Sequence, residues 1–334
     1  MSISYVDRVS QRSRPDWAGS ISAELDMVER TLESVICSDV STAFDISMHL
    51  LTAGGKRIRP ALMILSAMAS GECDPERLAY LAAATELVHM ASLVHDDVID
   101  ETRERRGVIT AAESYGNKIS VLGGDYLLAK GFHLLATYGT PDILRSLSAN
   151  AIRMTESEIL QASAEGDLAS WETNYWRIIR DKTAGFMAAC CECGALLAGS
   201  EPQVRERLCE YGVQLGLAFQ ITDDVLDISG DRALTGKETG TDLVHGKFTL
   251  PVLLALRDED ESGELRAILA NGKLSRSQAE DVAARVIRSG ALDDARLAAL
   301  DCSEEAIKQL CDVPRSQYTE ALIALAGFVI SRAG

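Results

Sequence analysis

Apolar residues spaced three or four positions apart recur along most of this chain, and this periodicity constrains its fold more than any other feature. Leu25, Val28, Leu32 and Val35 mark the first such amphipathic segment. Aromatic residues make up only 5% of the 334 residues, whereas alanine and leucine are abundant, which favours helices over sheets. No segment shows the alternating pattern of a strand over a useful length. The sequence therefore predicts an all-α fold, a single large helical bundle.

The later periodic segments predict helices at about 60–69, 76–99, 117–137, 142–166, 172–198, 202–228, 249–257, 277–289, 292–310 and 316–331. Ser277 and Glu280 have the spacing of a capping box for one of them. Neither a linker rich in proline or serine nor a low-complexity tract divides the chain. We therefore expect one domain over residues 1–334.

Net charge and apolar content narrow the possible functions. The chain carries 50 acidic and 33 basic residues, a net charge of −17, which argues against nucleic acid as a ligand because phosphates require a basic surface. The first residues lack the apolar stretch of a secretory signal. Charges interrupt the most apolar segments before they reach the roughly 20 apolar residues that a membrane span needs. We expect a cytoplasmic protein with no integral membrane segment.

The eight cysteines are expected to be reduced thiols in such a chain. Cys190, Cys191 and Cys193 form a cluster that invites a metal interpretation. However, no second cysteine pair or Cys/His pair follows at zinc spacing. Packing of small side chains in a helix is the favoured interpretation of this cluster.

An acidic motif, Asp-Asp-x-x-Asp, occurs twice, each time directly after an apolar helix: in LVHMASLVHDDVID (87–100) and in VQLGLAFQITDDVLD (213–227). In a helix, the first and last aspartates of such a motif lie one turn apart on one face, where like charges cost roughly 0.2–0.5 kcal/mol per pair. A solvated acidic helix face explains one copy more easily than two. Hard oxygen ligands without His or Cys suit Mg²⁺, which completes its shell with water and phosphate oxygens. The triads are Asp96, Asp97 and Asp100, and Asp223, Asp224 and Asp227.

Basic residues accompany the acidic motifs and indicate a phosphate ligand. In GGKRIRP (54–60), Pro60 suits a first helical position, and the helix start with its basic side chains favours an anion. The other basic residues near the triads are Arg105, Arg106, Lys237 and Lys247. The Thr-Gly-Lys at 235–237 is not a nucleotide-binding loop, because Glu238 stands where Ser or Thr is needed and no strand precedes it.

An ordered series of motifs between residues 54 and 251 resembles the trans-isoprenyl diphosphate synthases, the polyprenyl synthetases. The series is GGKRIRP, ELVHMASLVHDDVIDETRERRG, GGDYLLAKGF, EILQAS, DKTAGF, GLAFQITDDVLD and GKETGTDLVHGKFTLP. The resemblance implies an isoprenoid-synthase bundle around a central cavity, usually homodimeric. It also implies an enzyme that extends an allylic diphosphate with isopentenyl diphosphate, using three Mg²⁺ ions per active site when substrate is bound.

The resemblance further implies roles for individual residues. The implied metal ligands are Asp96, Asp100 and Asp223, with Asp97, Asp224 and Asp227 as further catalytic residues of the two motifs. The implied partners of the allylic diphosphate are Arg105, Lys182, Lys237 and Lys247, with Thr183 and Gln220 lining the same pocket, and Lys182 and Gln220 are also counted as catalytic. The implied ligands of isopentenyl diphosphate are Lys56, Arg59, His89 and Arg106.

Product length is predicted from the residues before the first triad, which in this family form the upper wall of a tunnel for the growing chain. A bulky aromatic there stops elongation early, whereas Ala91 and Ser92 are small. We therefore predict a long product, beyond geranylgeranyl diphosphate. Phe132 is the candidate floor of the tunnel, with an ordinary core phenylalanine as the alternative.

Three other functions are weighed against a long-chain synthase. A class I terpene cyclase would replace the second triad with an Asn/Ser/Glu metal motif, and the intact DDVLD counts against it. A subunit that modulates a partner synthase would be expected to lack Asp or basic residues of the motifs, and none is missing from the sequence. A farnesyl or geranylgeranyl diphosphate synthase remains the shorter-chain alternative. Release of a greasy product suggests transient membrane contact.

Overall fold

Helices form almost all of the structure, a computed structural model that describes residues 15–105, 107–230, 240–257 and 259–333. The helices of the first part are α1 (Ser22–Val35), α2 (Ser41–Thr52), α3 (Ile58–Ser70), α4 (Pro75–Ile99), α5 (Ala111–Tyr115), α6 (Asn117–Tyr138), α7 (Pro141–Ala164) and α8 (Leu168–Ile179). They are followed by α9 (Gly185–Leu197), α10 (Pro202–Ser229), α11 (Thr241–Val244), α12 (Leu250–Ala255), α13 (Glu259–Leu269), α14 (Arg276–Arg288), α15 (Ala291–Gln309) and α16 (Gln317–Ile330). Within the described ranges, the strands β1 (Glu104–Arg105) and β2 (Val108–Ile109) form one short antiparallel hairpin. The all-α prediction is confirmed.

Some local predictions differ from the structure. Periodicity missed α2, whose buried face is interrupted by Ser47, and α13, which opens on an acidic run. The capping box of α14 is formed by Ser275 and Gln278, so the prediction of Ser277 and Glu280 was wrong. Both pairs have the same three-residue spacing, and the sequence pattern alone does not choose between them.

The long helix predicted at 172–198 is broken in the structure. A π-helical segment, Arg180–Ala184, separates α8 from α9. Such wider turns are rare and occur frequently at functional sites. This segment carries Lys182 and Thr183, both of which are predicted to face the allylic diphosphate.

The chain divides into two compact units, each with its own core. The first unit comprises residues 1–147, 189–209 and 311–324. Its central helix is α4, which packs against α1, α3 and α6. The approach of α6 depends on Gly131, where an added Cβ would lie 3.1 Å from Cγ2 of Val88. The single domain expected over 1–334 stays a prediction.

The second unit comprises residues 148–188, 210–310 and 325–334. Buried residues of α8, α10, α12, α14 and α15 form its core, with the aromatic rings of Trp171, Tyr175 and Phe248 among them. Helix α12 packs against both α14 and α15. This core holds the helix that carries the second acidic motif.

Helix α4 passes a test of length and apolar composition for a membrane span, the one helix among the described residues to do so. The sequence interpretation, that charges rule out every such segment, was therefore too strict. However, 72% of the most apolar window of α4 is buried within the protein. A buried core helix passes the same test, so its apolar character is explained by packing.

Candidate active site

The first acidic motif lies at the end of α4 and divides into two kinds of aspartate. Asp97 is buried, with 3% of its surface exposed, whereas Asp96 and Asp100 are partly exposed. Nε of Arg105 donates to Oδ1 of Asp97 at 2.7 Å. Arg105 reaches Asp97 because the hairpin of β1 and β2 begins directly after the turn that ends α4. The middle aspartate is therefore held by the protein, while the outer pair lies one helical turn apart on one face.

The Gly-Gly-Lys-Arg segment before α3 is fixed by a buried ion cluster. Arg57 has a left-handed backbone conformation, φ +52°, which is uncommon for a residue with a Cβ. Its Nε donates to Oε1 of Glu29 at 2.7 Å, and its Nη1 donates to Oε1 of Glu86 at 2.7 Å. All three side chains are buried. Arg57 is therefore a structural residue, in contrast to its exposed neighbour Lys56.

Two of the predicted ligands of isopentenyl diphosphate meet in the structure. Nη1 of Arg59 donates to Nε2 of His89 at 3.0 Å. Because a guanidinium has only donors, this contact requires a neutral His89 with its proton on Nδ1. Pro60 is the third residue of α3 rather than the first, so that prediction was wrong by two positions, because the helix starts directly after the left-handed Arg57.

A cleft of about 550 Å³ lies in the first unit beside these residues. Its lining includes Gly54, Arg57, His89, Asp97 and Arg105. The cleft therefore joins the glycine-rich segment to the first acidic motif. Apolar side chains such as Leu93 and Ile109 also line it, and both of its arginines are paired with carboxylates.

The predicted chain-length residues lie near this cleft in sequence but do not line it. The two α4 residues that flank Ala91 and Ser92, namely Met90 and Leu93, are part of its lining. Ala91 is buried, and Ser92 is partly exposed, with its hydroxyl donating to the carbonyl of His89 at 2.8 Å. Phe132 is partly exposed on α6. Their roles in setting product length stay predictions.

The second acidic motif, on α10, also has a buried middle aspartate. Asp224 has 2% of its surface exposed, whereas Asp223 and Asp227 are partly exposed. The hydroxyl of Tyr175 donates to Oδ2 of Asp224 at 2.6 Å, and Nε2 of Gln220 donates to Oδ1 at 3.0 Å. Neutral donors thus hold this carboxyl.

The burial of Asp224 affects its protonation. Burial, with a further contribution from the nearby Asp242, raises the pKa of Asp224 to about 8. Burial also raises the pKa of the Tyr175 hydroxyl well above its ordinary value, so this group remains a donor. Asp224 therefore retains its proton near neutral pH, chiefly because its carboxyl is buried.

The predicted pocket residues Thr183 and Gln220 are linked to this motif by a hydrogen-bond relay. Oγ1 of Thr183 donates to Oε1 of Gln220 at 2.8 Å, and Gln220 donates in turn to Asp224. The relay connects the π-helical segment to α10. Tyr175 completes it from α8, and sequence reasoning missed this residue because a buried tyrosine on an amphipathic helix has no signal beyond its apolar spacing.

The outer aspartates of the second motif have partners of their own. Asp227 accepts backbone N–H groups of Thr241 and Asp242, each at 3.2 Å, at the start of α11. Oδ1 of Asp223 lies 2.8 Å from Nη2 of Arg332. Sequence reasoning also missed Arg332, which lies outside every motif.

The predicted basic residues are placed in different settings. Nζ of Lys182 lies 2.6 Å from Oε1 of Glu158, so a diphosphate ligand would replace this carboxylate contact with a phosphate one. Lys247 is buried, with 8% of its surface exposed. Arg106 and Lys237 lie outside the described residues.

The oxygen-only donors of both motifs fit Mg²⁺. In the described part of the chain, no three carboxylate, imidazole or thiol groups form a preformed metal centre. Mg²⁺ typically takes one or two carboxylates and completes its shell with water and phosphate oxygens. The Cys190, Cys191 and Cys193 side chains are buried in α9, which agrees with the packing interpretation, and this burial raises the pKa values of their thiols.

Comparison with known proteins decides the family. The polyprenyl synthetase family model matches residues 41–286. The chain belongs to the polyprenyl synthetase family. The synthase is 36% identical over 321 residues to an all-trans-nonaprenyl-diphosphate synthase (geranyl-diphosphate specific) of Rhodobacter capsulatus, covering 96% of the chain and 98% of that relative. It is 33% identical to heptaprenyl diphosphate synthase component 2 of Bacillus subtilis (strain 168), over 92% of the chain and 88% of the relative.

A solved structure supports the same family assignment. The synthase resembles the crystal structure of polyprenyl synthase from Caulobacter crescentus CB15, which was complexed with calcium and isoprenyl diphosphate, with a TM-score of 0.90 and 34% identity over 100% of both chains. The resemblance inferred from the ordered motifs is therefore confirmed. The synthase is a trans-prenyltransferase with the all-α isoprenoid-synthase fold.

Proposed function

We propose that this synthase condenses isopentenyl diphosphate with an allylic diphosphate, farnesyl or geranylgeranyl diphosphate, to give a long-chain all-trans polyprenyl diphosphate. One observation carries the proposal: in both acidic motifs the middle aspartate is buried and held by protein donors, and the outer two are partly exposed on one helical face. Relatives named as hepta- and nonaprenyl diphosphate synthases favour a long product over a short one.

The metal ligands in this proposal are Asp96, Asp100 and Asp223, and three Mg²⁺ ions bind per active site when substrate is present. When bound, the metal neutralises the charge that develops on the departing diphosphate. The residues of the chain bind and orient the same group. Lys182 exchanges its contact with Glu158 for a diphosphate oxygen. Arg105 contacts Asp97 through Nε, and its terminal N–H groups donate to the diphosphate.

The reaction proceeds by ionisation, condensation and proton loss. The allylic carbon–oxygen bond breaks and its electron pair leaves with the diphosphate. The double bond of isopentenyl diphosphate then forms the new carbon–carbon bond, and the proton lost afterwards goes to the released diphosphate. The hydroxyl oxygen of Thr183, whose proton is donated to Gln220, presents lone pairs that stabilise the allylic cation.

Isopentenyl diphosphate binds Lys56, Arg59 and His89, with Arg106 as a further ligand. His89 accepts from Arg59 through Nε2, so the proton of its neutral ring lies on Nδ1. The buried cluster around Arg57 holds the intervening backbone, so that Lys56 and Arg59 are positioned before the substrate arrives.

We further propose that the synthase is a cytoplasmic homodimer that contacts a membrane transiently to release its product. Light scattering of the purified protein tests the dimer, and a dimer mass is expected. Flotation with liposomes tests the contact: association should increase when substrates are turned over, and unchanged association would contradict it.

A product assay tests the catalytic proposal. The purified protein is incubated with Mg²⁺, labelled isopentenyl diphosphate and farnesyl diphosphate, and chain lengths are resolved by chromatography. A ladder that extends well past twenty carbons is expected. Products that stop at fifteen or twenty carbons would retain the chemistry and contradict the open tunnel, whereas no incorporation with any primer would contradict the function.

The tunnel is tested separately with Ala91→Phe. A phenyl ring at this position should shorten the product while incorporation continues. Ala79→Phe, at another buried alanine of α4, is the control for overpacking. An unchanged product distribution in Ala91→Phe would contradict the assignment of this wall.

A further inference from the structure

A guanidinium that belongs to no motif contacts the second acidic motif. Arg332 lies in the 3₁₀ turn Ser331–Ala333, directly after α16. Its Nη2 is 2.8 Å from Oδ1 of Asp223, the predicted metal ligand of α10. The side chains of Arg332 and Asp223 are 23% and 37% exposed, so the pair is less screened by water than an open surface pair.

An aromatic ring fixes the direction of this guanidinium. Cζ of Arg332 lies 4.8 Å from the ring centroid of Phe219, within the range of a cation–π contact. Phe219 precedes Asp223 by four residues, so both lie on the same face of α10. One face of α10 thus contacts the guanidinium of Arg332 twice, through the ring of Phe219 and the carboxylate of Asp223.

The arrangement leaves one donor of the arginine unsatisfied. Nη1 of Arg332 is buried and has no hydrogen-bond partner in the described part of the chain. An unsatisfied buried donor is unfavourable, so the surrounding structure maintains this side-chain orientation against a cost. An incidental surface contact would be expected to turn Nη1 towards water.

The surrounding charge allows a cation and a metal to share Asp223. Asp224 and Asp227 follow Asp223 on α10, and Asp242 donates its backbone N–H to Asp227, so several aspartates lie close together here. One guanidinium does not neutralise this group, so it still attracts a divalent cation. A carboxylate also has two oxygens with about four acceptor positions, and a donor at Oδ1 leaves positions for a metal.

We propose that Arg332 is a positioning residue for Asp223: it holds one carboxylate oxygen, and thereby sets the orientation in which the carboxylate binds the divalent metal. The proposal rests on the proposed function of Asp223 as a metal ligand. Partners that hydrogen-bond a ligating carboxylate typically change metal affinity by about 10–100-fold when they are removed. The segment after α16 thus contributes to the metal site.

Metal affinity tests this role directly. Mn²⁺ is titrated into the full chain with saturating inorganic diphosphate, and free Mn²⁺ is measured by electron paramagnetic resonance. Arg332→Gln is expected to weaken Mn²⁺ binding by about 10–100-fold without lowering the thermal unfolding midpoint. Arg332→Lys, which retains a donor and a charge, should recover part of the affinity.

Arg296→Gln is the matched control, because it removes the same charge from an exposed pair in which Nη1 of Arg296 lies 2.8 Å from Oδ1 of Asp293. It should leave Mn²⁺ affinity unchanged. Unchanged or tighter binding in Arg332→Gln would overturn the proposal, since tighter binding would mean that Arg332 competes with the metal.

Asp223→Asn separates this proposal from the one on which it rests. If Asp223→Asn weakens Mn²⁺ binding and Arg332→Gln does not, only the role of Arg332 fails. If Asp223→Asn leaves Mn²⁺ binding unchanged, or the wild-type protein binds no Mn²⁺ with diphosphate, the metal role of Asp223 fails and the role of Arg332 fails with it.

Discussion

The two acidic motifs have the same sequence pattern but different chemistry around the middle aspartate. In the first motif the buried Asp97 pairs with a cation, Arg105, at 2.7 Å. In the second motif the buried Asp224 accepts from two neutral groups, the hydroxyl of Tyr175 and the amide of Gln220. Burial, and next the nearby Asp242, raise the pKa of Asp224 to about 8, although the hydrogen bonds from Tyr175 and Gln220 lower it.

The position of the protein's own cation therefore differs between the motifs. In the first motif it compensates the middle aspartate, and in the second Arg332 compensates an outer one, Asp223. The motifs share a buried middle carboxyl held by protein donors and two partly exposed outer carboxylates. We propose a division of labour in which the middle carboxyl anchors the helix end and Asp96, Asp100 and Asp223 bind metal.

The largest expected effect is a fall in kcat/KM, which should be greater for variants of the outer aspartates than for variants of the middle ones. Asp96→Asn and Asp223→Asn remove proposed metal ligands. A loss of several kcal/mol of Lewis-acid stabilisation corresponds to a fall in kcat/KM of about 10³-fold. Asp97→Asn and Asp224→Asn affect the metal site only indirectly, through the position of the outer aspartates. We expect kcat/KM to fall by about 10–100-fold in these two variants. Steady-state kinetics with Mg²⁺ measures both. Equal losses in outer and middle variants would contradict the division of labour.

The second prediction concerns the buried cation of the first unit. Arg57→Met leaves Glu29 and Glu86 buried without their partner, and breaking such a pair costs about 3–5 kcal/mol. Urea denaturation should show a loss of this size in the free energy of unfolding. Arg145→Gln, from the exposed Arg145–Asp142 pair of the same unit, should change it by at most about 1 kcal/mol. A loss below about 1 kcal/mol in Arg57→Met would show that the cluster is not needed to hold the loop.

The smallest expected effect is a difference in the free energy of unfolding between variants of the two middle aspartates. Asp97→Asn takes a charge away from the partly buried Arg105 and should cost about 1.5–3 kcal/mol. Asp224→Asn keeps an acceptor for Gln220 and offers a donor to the Tyr175 oxygen, so we expect a cost of about 1 kcal/mol or less. Chemical denaturation of both variants without metal checks the order. A larger cost in Asp224→Asn would contradict the contrast between charged and neutral partners.

Local rules predicted the features that depend on nearby residues. Periodicity located the long helices, and the four-residue spacing placed Asp96 and Asp100, and likewise Asp223 and Asp227, on one helical face. The same rules missed the π-helical turn at Arg180–Ala184, because one wider turn leaves the apolar spacing almost unchanged.

Partners distant in sequence were beyond these rules. Tyr175 and Asp224 are 49 residues apart, and Arg57 and Glu29 are 28 residues apart, so no local pattern pairs them. Arg57 shows the consequence: local rules do not separate it from the other basic residues of GGKRIRP, yet its side chain is buried and Lys56 is exposed. The family resemblance left Arg57 out of the implied ligands, and the structure gives the reason, its buried pairs with Glu29 and Glu86.

A crystal structure with Mn²⁺ and a non-ionisable thio analogue of the allylic diphosphate would test the division of labour most directly. Anomalous scattering from Mn²⁺ identifies each metal position independently of the protein atoms. We predict metal positions bound by oxygens of Asp96, Asp100 and Asp223, with Asp97 still paired to Arg105 and Asp224 still bound to Tyr175. A metal ion bound by Asp97 or Asp224, with those pairs broken, would contradict the account.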